Sequence, residues 1–153
     1  MNKKQAILNL GLSAATILAV DTCTKAYVEK SLKESEKIEL LNRNLTIIKH
    51  HNKGLPMNAF DKHQKKVALV SLIALILESF YAGNSLSKKG SLLSSVAHGL
   101  IIGGAISNTS DRILRGYVVD YLSFKKSKAI YNISDFAIIL GAALAAIEEC
   151  RDN

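Results

Sequence analysis

A mainly α, polytopic membrane fold of four transmembrane helices is the class this sequence predicts, with a small β-cradle built from its polar segments. Three observations carry it. Four apolar runs, at about residues 6–23, 67–83, 91–107 and 133–149, divide the 153-residue chain. The runs are nearly uniform around their circumference, which suits burial in lipid better than a one-sided amphipathic helix would. Small residues cluster inside them, at Gly99, Gly103, Gly104 and Ala105 and again at Gly141-Ala142-Ala143, and small residues let helices approach closely in lipid. The length fits one domain, 1–153.

Met1 to Lys4 is basic, and Ala6 to Val20 is apolar apart from Asn9, Ser13 and Thr16. A basic start before an apolar run also describes a secretory signal peptide. No small-x-small cleavage pattern follows at Val20-Asp21-Thr22-Cys23, so a membrane helix is the better reading. From Asp21 to Lys66 the chain is polar, with strand-forming content at Ile38, Leu40, Leu41 and Leu45-Thr46-Ile47-Ile48. Asn52-Lys53-Gly54-Leu55-Pro56 is turn chemistry, in which Gly supplies positive φ and Pro fixes the next bend. A small sheet is therefore expected between Ile38 and Phe60. Val67 to Ala82 is the second run, and Ala82-Gly83-Asn84 with Ser87-Lys88-Lys89-Gly90 reads as a turn after it. Leu92 to Ile106 and Ile133 to Ile147 complete the set. Each run is near the floor of about 17 residues for crossing a bilayer core, so a soluble bundle with apolar core helices stays open.

The chain is 48% hydrophobic, with mean hydropathy +0.16, net charge +7 and pI near 9.4. That balance suits nucleic acid or the anionic face of a membrane. Nucleic acid is the poorer fit, because the basic residues are scattered and four apolar runs would have no role. The two cysteines, Cys23 and Cys150, are too few for a disulfide framework and fall at opposite faces of a four-helix bundle. His50, His51 and His63 share a polar segment without a cysteine partner, so no metal site is expected. His98, alone in an apolar run, reads as a hydrogen-bonded core or interface histidine. Four helices put both termini on one side. With the termini cytoplasmic, only Lys3, Lys4, Lys88, Lys89 and Arg151 of the 20 Lys and Arg lie inside. Taken alone, the positive-inside rule favours the reverse orientation.

Chemistry-bearing residues concentrate between the third and fourth runs. Asn108-Thr109-Ser110-Asp111-Arg112, Val118-Val119-Asp120-Tyr121 and Asn132-Ile133-Ser134-Asp135 place three carboxylates, one arginine and two asparagines at run edges. Charge there is costly when desolvated and usually serves a purpose. A pair of aspartates sharing one proton is one such purpose. Plainer readings stand beside it. Asp111 beside Arg112 is an ion pair or a helix end. Asp135, three residues after Asn132, is a helix-start acid favoured by the macrodipole. Asn108 and Asn132 are caps or turn residues, and Asp21 is a cap or a tether to Lys25. A small membrane transport or scaffold protein could line a polar path with the same Asp and Arg residues, although aspartates at run edges favour a cluster at one face. A soluble basic binding protein is a further reading.

The ordered blocks Gly103-Gly104-Ala105-Ile106-x-Asn108-x-x-Asp111-Arg112, Gly116-Tyr117-Val118-Val119-Asp120-Tyr121 and Asn132-x-x-Asp135 resemble the bacterial lipoprotein signal peptidases, signal peptidase II. Asp21-Thr22-Cys23-Thr24-Lys25 resembles that family's Asp-Gln-x-Thr-Lys box, and Asn52-Lys53-Gly54 the start of its Asn-x-Gly-Ala-Ala-Phe box. The likeness covers nearly the whole chain. Thr22, Leu55-Pro56-Met57, Ser107 and Ser134 depart from the usual Gln, small residues, Gly and Ala. The resemblance implies a membrane aspartic endopeptidase that needs no metal and no cofactor. Such an enzyme cuts the signal peptide from diacylglyceryl-modified prolipoproteins just before the lipidated cysteine. Asp120 and Asp135 are then the catalytic pair. Asn52, Asn108, Asp111, Arg112, Asn132 and Asp21 bind substrate or support the site. The expected setting is a monomer in the lipid of the bacterial cytoplasmic membrane, multi-pass, with both termini cytoplasmic. The site and the cradle then sit near the extracytoplasmic face, against the charge count.

Overall fold

The computed structural model describes residues 1–33, 36–42, 44–54 and 59–152. Helix α1 spans Lys3–Ser31 and begins where the Asn2 side chain accepts the Gln5 amide. Strands β1 (Lys37–Leu40) and β2 (Leu45–Asn52) follow. A 3-10 turn at Asp61–His63 leads into α2, Gln64–Lys89. Ser91 caps α3, Leu92–Leu114, by accepting the Ser94 amide. Strand β3 (Val118–Phe124), the two-residue β4 (Ile130–Tyr131) and α4 (Ile133–Asp152) complete the chain.

The helices alternate in direction, so the turn after α2 returns to the start of α1, where Gly90 lies against Ala6. Helix α3 packs against each of the other three. Its small residues make that possible. A methyl group added at Gly103 would fall 2.5 Å from the Ala14 carbonyl oxygen of α1, and one at Gly104 would fall 2.7 Å from the Ser134 oxygen of α4. Gly141 of α4 meets Ala97 and Ile101 of α3 in the same way. The close approach expected of these small residues is what the structure shows. Away from these contacts the helices are apolar outward, at Leu12, Leu69, Ile76, Leu77, Phe80, Ile139 and Leu140. Among the described residues, Lys3–Ser31, Asp61–Ser87 and Leu92–Leu114 are long and apolar enough to cross a membrane. Helix α4 carries Asp135 at one end and Glu148, Glu149 and Arg151 at the other.

The helices overrun the apolar runs. Helix α1 continues through Asp21 and Lys25, which belong to no loop. The two side chains are one turn apart and pair at 2.7 Å, while Val28 and Leu32 bury against the sheet. Ala82-Gly83-Asn84 is helical rather than a turn. Ala82 and Leu86 are buried on its inner face, and that packing outweighs the roughly 1 kcal/mol that a helical glycine costs. The sheet is antiparallel in the order β1-β2-β3-β4. The expected 38–60 segment supplies only its first two strands, and β3 and β4 complete it. Leu55-Pro56-Met57 lies outside the described residues.

The pleat of β3 separates two roles. Val119 and Tyr121 point to a core formed with Val28 and Leu32, flanked by Ile47, Tyr117, Leu122 and Ile133. Val118 and Asp120 point the other way, into a cleft. The end of α1 is also tied to the sheet by polar contacts. The Glu29 carboxylate bonds His51 Nε2 at 3.0 Å and accepts the Tyr117 hydroxyl at 3.0 Å, and the two rings stack at 4.0 Å.

Candidate active site

A cleft of about 200 Å³ opens where the sheet meets the C-terminal end of α3 and the start of α4. Asn52, Arg112, Asp120, Tyr131 and Asp135 are among the residues that line it. Each carboxylate is placed by a different element. Asp120 rides on β3, and the register sets it opposite His50 and two pairs away from Asn52. That diagonal spacing lets the Asn52 amide donate to Asp120 Oδ2 at 2.9 Å. The Asn52 oxygen accepts the Gly54 amide at 3.1 Å, which fixes the turn beneath it. Asp135 is set by the start of α4. Its amide donates to Asn132 Oδ1 at 2.9 Å, and its Oδ2 accepts the Asn132 amide at 3.0 Å, a reciprocal capping box.

The asparagines join the two carboxyls. Asn132 Nδ2 donates to Asp120 Oδ1 at 2.7 Å and to Asn108 Oδ1 at 3.2 Å. Asn108 Nδ2 donates to Asp135 Oδ1 at 2.9 Å. Asp120 is 2% exposed. Burial, then the neighbouring Asp135 carboxylate, pushes its pKa up to about 7, against the pull of the Asn52 and Asn132 amides.

Beneath the cleft lies a second polar layer. Asp21 accepts hydroxyls from Ser107 and Ser134, each at 2.6 Å, and that of Tyr121 at 3.2 Å. Burial, followed by the Asp21 charge, drives the Tyr121 hydroxyl well above its usual pKa. Lys25 reaches Asp21 at 2.7 Å, Asn108 Oδ1 at 2.8 Å and Asp111 at 3.1 Å. Asp111 pairs also with Arg115 at 3.2 Å.

The expected Asp111–Arg112 ion pair is therefore replaced. Successive helical residues point about 100° apart, so Asp111 turns inward to Lys25 while Arg112 turns to the cleft wall. There Arg112 donates to the Gly54 and Asn108 carbonyls, each at 3.3 Å. Its Nε is buried without a partner among the described residues. Asp21 proves to be a tether to Lys25, deep inside the bundle rather than at a helix end.

Sequence reasoning missed Ser107, Ser134 and Tyr121 as site-supporting groups. The signal was faint: a hydroxyl on an otherwise apolar face, where only tertiary placement reveals the carboxylate it serves. His98 is the core histidine expected, 3% exposed, with its Nδ1 2.7 Å from Glu78 of α2.

Residues 13–151 match the family model of signal peptidase (SPase) II. The lipoprotein signal peptidase of Pasteurella multocida is 35% identical, over 98% of this chain and 93% of that protein. That of Halothermothrix orenii is 33% identical, over 84% and 86%. A bacterial membrane enzyme solved by the in meso method at 2.3 Å shares the fold with a TM-score of 0.83 and 26% identity, covering 92% of this chain and 87% of its own. A second such structure, at 1.9 Å, gives 0.81 at 26% identity, covering 93% and 92%. Both the sequence match and the shared architecture extend over nearly the full chain, and on that ground it belongs to the signal peptidase II family.

Proposed function

We propose that this chain is an aspartic endopeptidase that frees diacylglyceryl-modified prolipoproteins of their signal peptides, with Asp120 and Asp135 as its catalytic pair. The observation that supports this most is the convergence of two carboxyls, Asp120 buried and Asp135 half-buried, on one cleft. They are joined through Asn132 and Asn108, and Asp120 is held protonated up to about pH 7. Hydrolysis of a peptide bond here needs an activated water and an acid. A singly protonated carboxyl pair supplies both.

The shared proton rests first on Asp120. Asp135 takes a proton from water as the water attacks the scissile carbonyl, and Asp120 gives its proton to the carbonyl oxygen. In the collapse, Asp120 recovers a proton from the tetrahedral hydroxyl and Asp135 passes its own to the leaving amine. The pair returns to one proton. Arg112 holds the Asn52–Gly54 turn over the cleft. Asn52 and Asn132 hold Asp120 and keep the pair from drifting apart.

The whole chain, 1–153, then acts as one membrane-embedded peptidase domain and works as a monomer in the lipid of the bacterial cytoplasmic membrane. Helix α4 is the fourth span, because its charges sit at its two ends and leave Phe136 to Ile147 apolar. Both termini and the α2–α3 turn face the cytoplasm. The sheet and the cleft face outward, where a translocated lipoprotein presents its processing site. Purified chain in detergent, given a diacylated prolipoprotein, should release two products cut immediately before the lipidated cysteine, as read by mass. Release at another bond, or none, overturns this reading.

A further inference from the structure

We propose that Lys25, which lines no part of the cleft, is a positioning residue that sets the direction of the Asn108 amide and thereby the protonation of the carboxyl pair. The proposal rests on the reading of Asp120 and Asp135 given above. An asparagine amide has nearly the same shape either way round, so its partners decide which end faces which neighbour. Asn108 has Asp135 on one side and Lys25 on the other. An ammonium can only donate. At 2.8 Å it claims the Asn108 oxygen, and the NH2 group is left to face Asp135 at 2.9 Å. Asn132 also donates to that oxygen, but at 3.2 Å and with the same nitrogen that bonds Asp120 at 2.7 Å.

Without the ammonium, the flipped amide becomes accessible. Its oxygen would then confront Asp135, which is tolerable only when Asp135 carries a proton. Lys25 itself is prevented from wandering. It is 1% exposed, and Asp21, Asp111 and the Ser107 hydroxyl surround its nitrogen. Ser107 and Ser134 in turn hold Asp21 at 2.6 Å each, so these two hydroxyls secure the anchor of the lysine. The charged and titratable groups facing this cluster are Asp21 from α1; Asp111, Arg112 and Arg115 from α3; Asp120 and Tyr121 from β3; and Asp135 from α4.

The test is the pH profile of prolipoprotein turnover for the purified full chain in detergent. Lys25→Met should move the acid limb upward by about one pH unit, the scale of one lost charge-assisted hydrogen bond. Turnover at the optimum should fall about tenfold while KM stays within about twofold, because Lys25 does not touch the cleft. Removing one member of a buried pair can prevent folding, so Asp21→Asn/Lys25→Met, which keeps the buried charge balanced, is the second variant. It too should show the raised acid limb. A folded variant whose profile superimposes on that of the parent overturns the proposal and leaves Lys25 a packing residue. Asp120→Asn in the same assay separates the two readings. If that variant turns over like the parent, the carboxyl pair itself is misassigned. If it is inactive while the Lys25 variants keep the parent profile, only the role of Lys25 fails.

Discussion

At Asp120 a residue ordinarily ionised at neutral pH is kept as an acid. Its folded pKa, about 7, lies above the roughly 3.9 of an exposed aspartate. The protonated form is thus favoured by folding. Its contribution to stability is fully present below about pH 4 and is lost as pH rises through about 7. Asp120→Asn removes that dependence. Measured by thermal unfolding in detergent, the difference in Tm, variant minus parent, should grow from pH 5 to about pH 7 and level off by pH 8. A constant difference would mean that Asp120 is ionised throughout. The block around Asp120 pointed to a pair sharing one proton, but which carboxyl holds it was not legible, because burial and the approach of Asp135 are tertiary facts. Asp111 shows the opposite limit. Its neighbour in sequence, Arg112, suggested a partner that helix geometry turns away.

At the scale of elements, the start of α4 was legible as a helix cap. Asn132-x-x-Asp135 was read both as a helix cap and as a reactive carboxyl, and the geometry lets one side chain cap the helix while it faces the cleft. The far end of α1 was hidden. Asp21 and Lys25 look like loop residues until their shared burial with Ser107, Ser134 and Asn108 is seen, since polarity alone marks a residue as outside. The α1–α3 contact makes a sharp prediction. A methyl group at Gly103 would lie 2.5 Å from the Ala14 carbonyl oxygen, part of a backbone that cannot yield cheaply. Gly103→Ala should cost about 1–3 kcal/mol and lower Tm by several degrees. Gly11→Ala, on the same helix pair but facing open space, should leave Tm unchanged or raise it, by up to about 1 kcal/mol of helix propensity. Equal effects at the two sites would mean that α1 and α3 are not in this close contact.

For the whole molecule, the four-helix pattern and the sheet were legible because apolar runs and turn residues are local signals. Orientation was not, because most of the basic residues gather at the sheet end, so the usual charge rule and the proposed outward cleft point opposite ways. Single cysteines at Lys37 and Ser87, in a background lacking Cys23 and Cys150, separate the two orientations. An impermeant thiol reagent on intact cells should label position 37 and spare position 87. The reverse pattern would turn the cleft to the cytoplasm. The most direct test of the account compares prolipoprotein turnover by Asp120→Asn, Asp135→Asn, the double variant and Asp111→Asn at equal protein level. Asp120→Asn or Asp135→Asn alone should lower turnover by about a thousandfold or more, the double should cost little beyond either single, and Asp111→Asn should retain measurable cleavage. Parent-like turnover by Asp120→Asn beside an inactive Asp111→Asn would contradict the account and move the pair to Asp111 and Asp135.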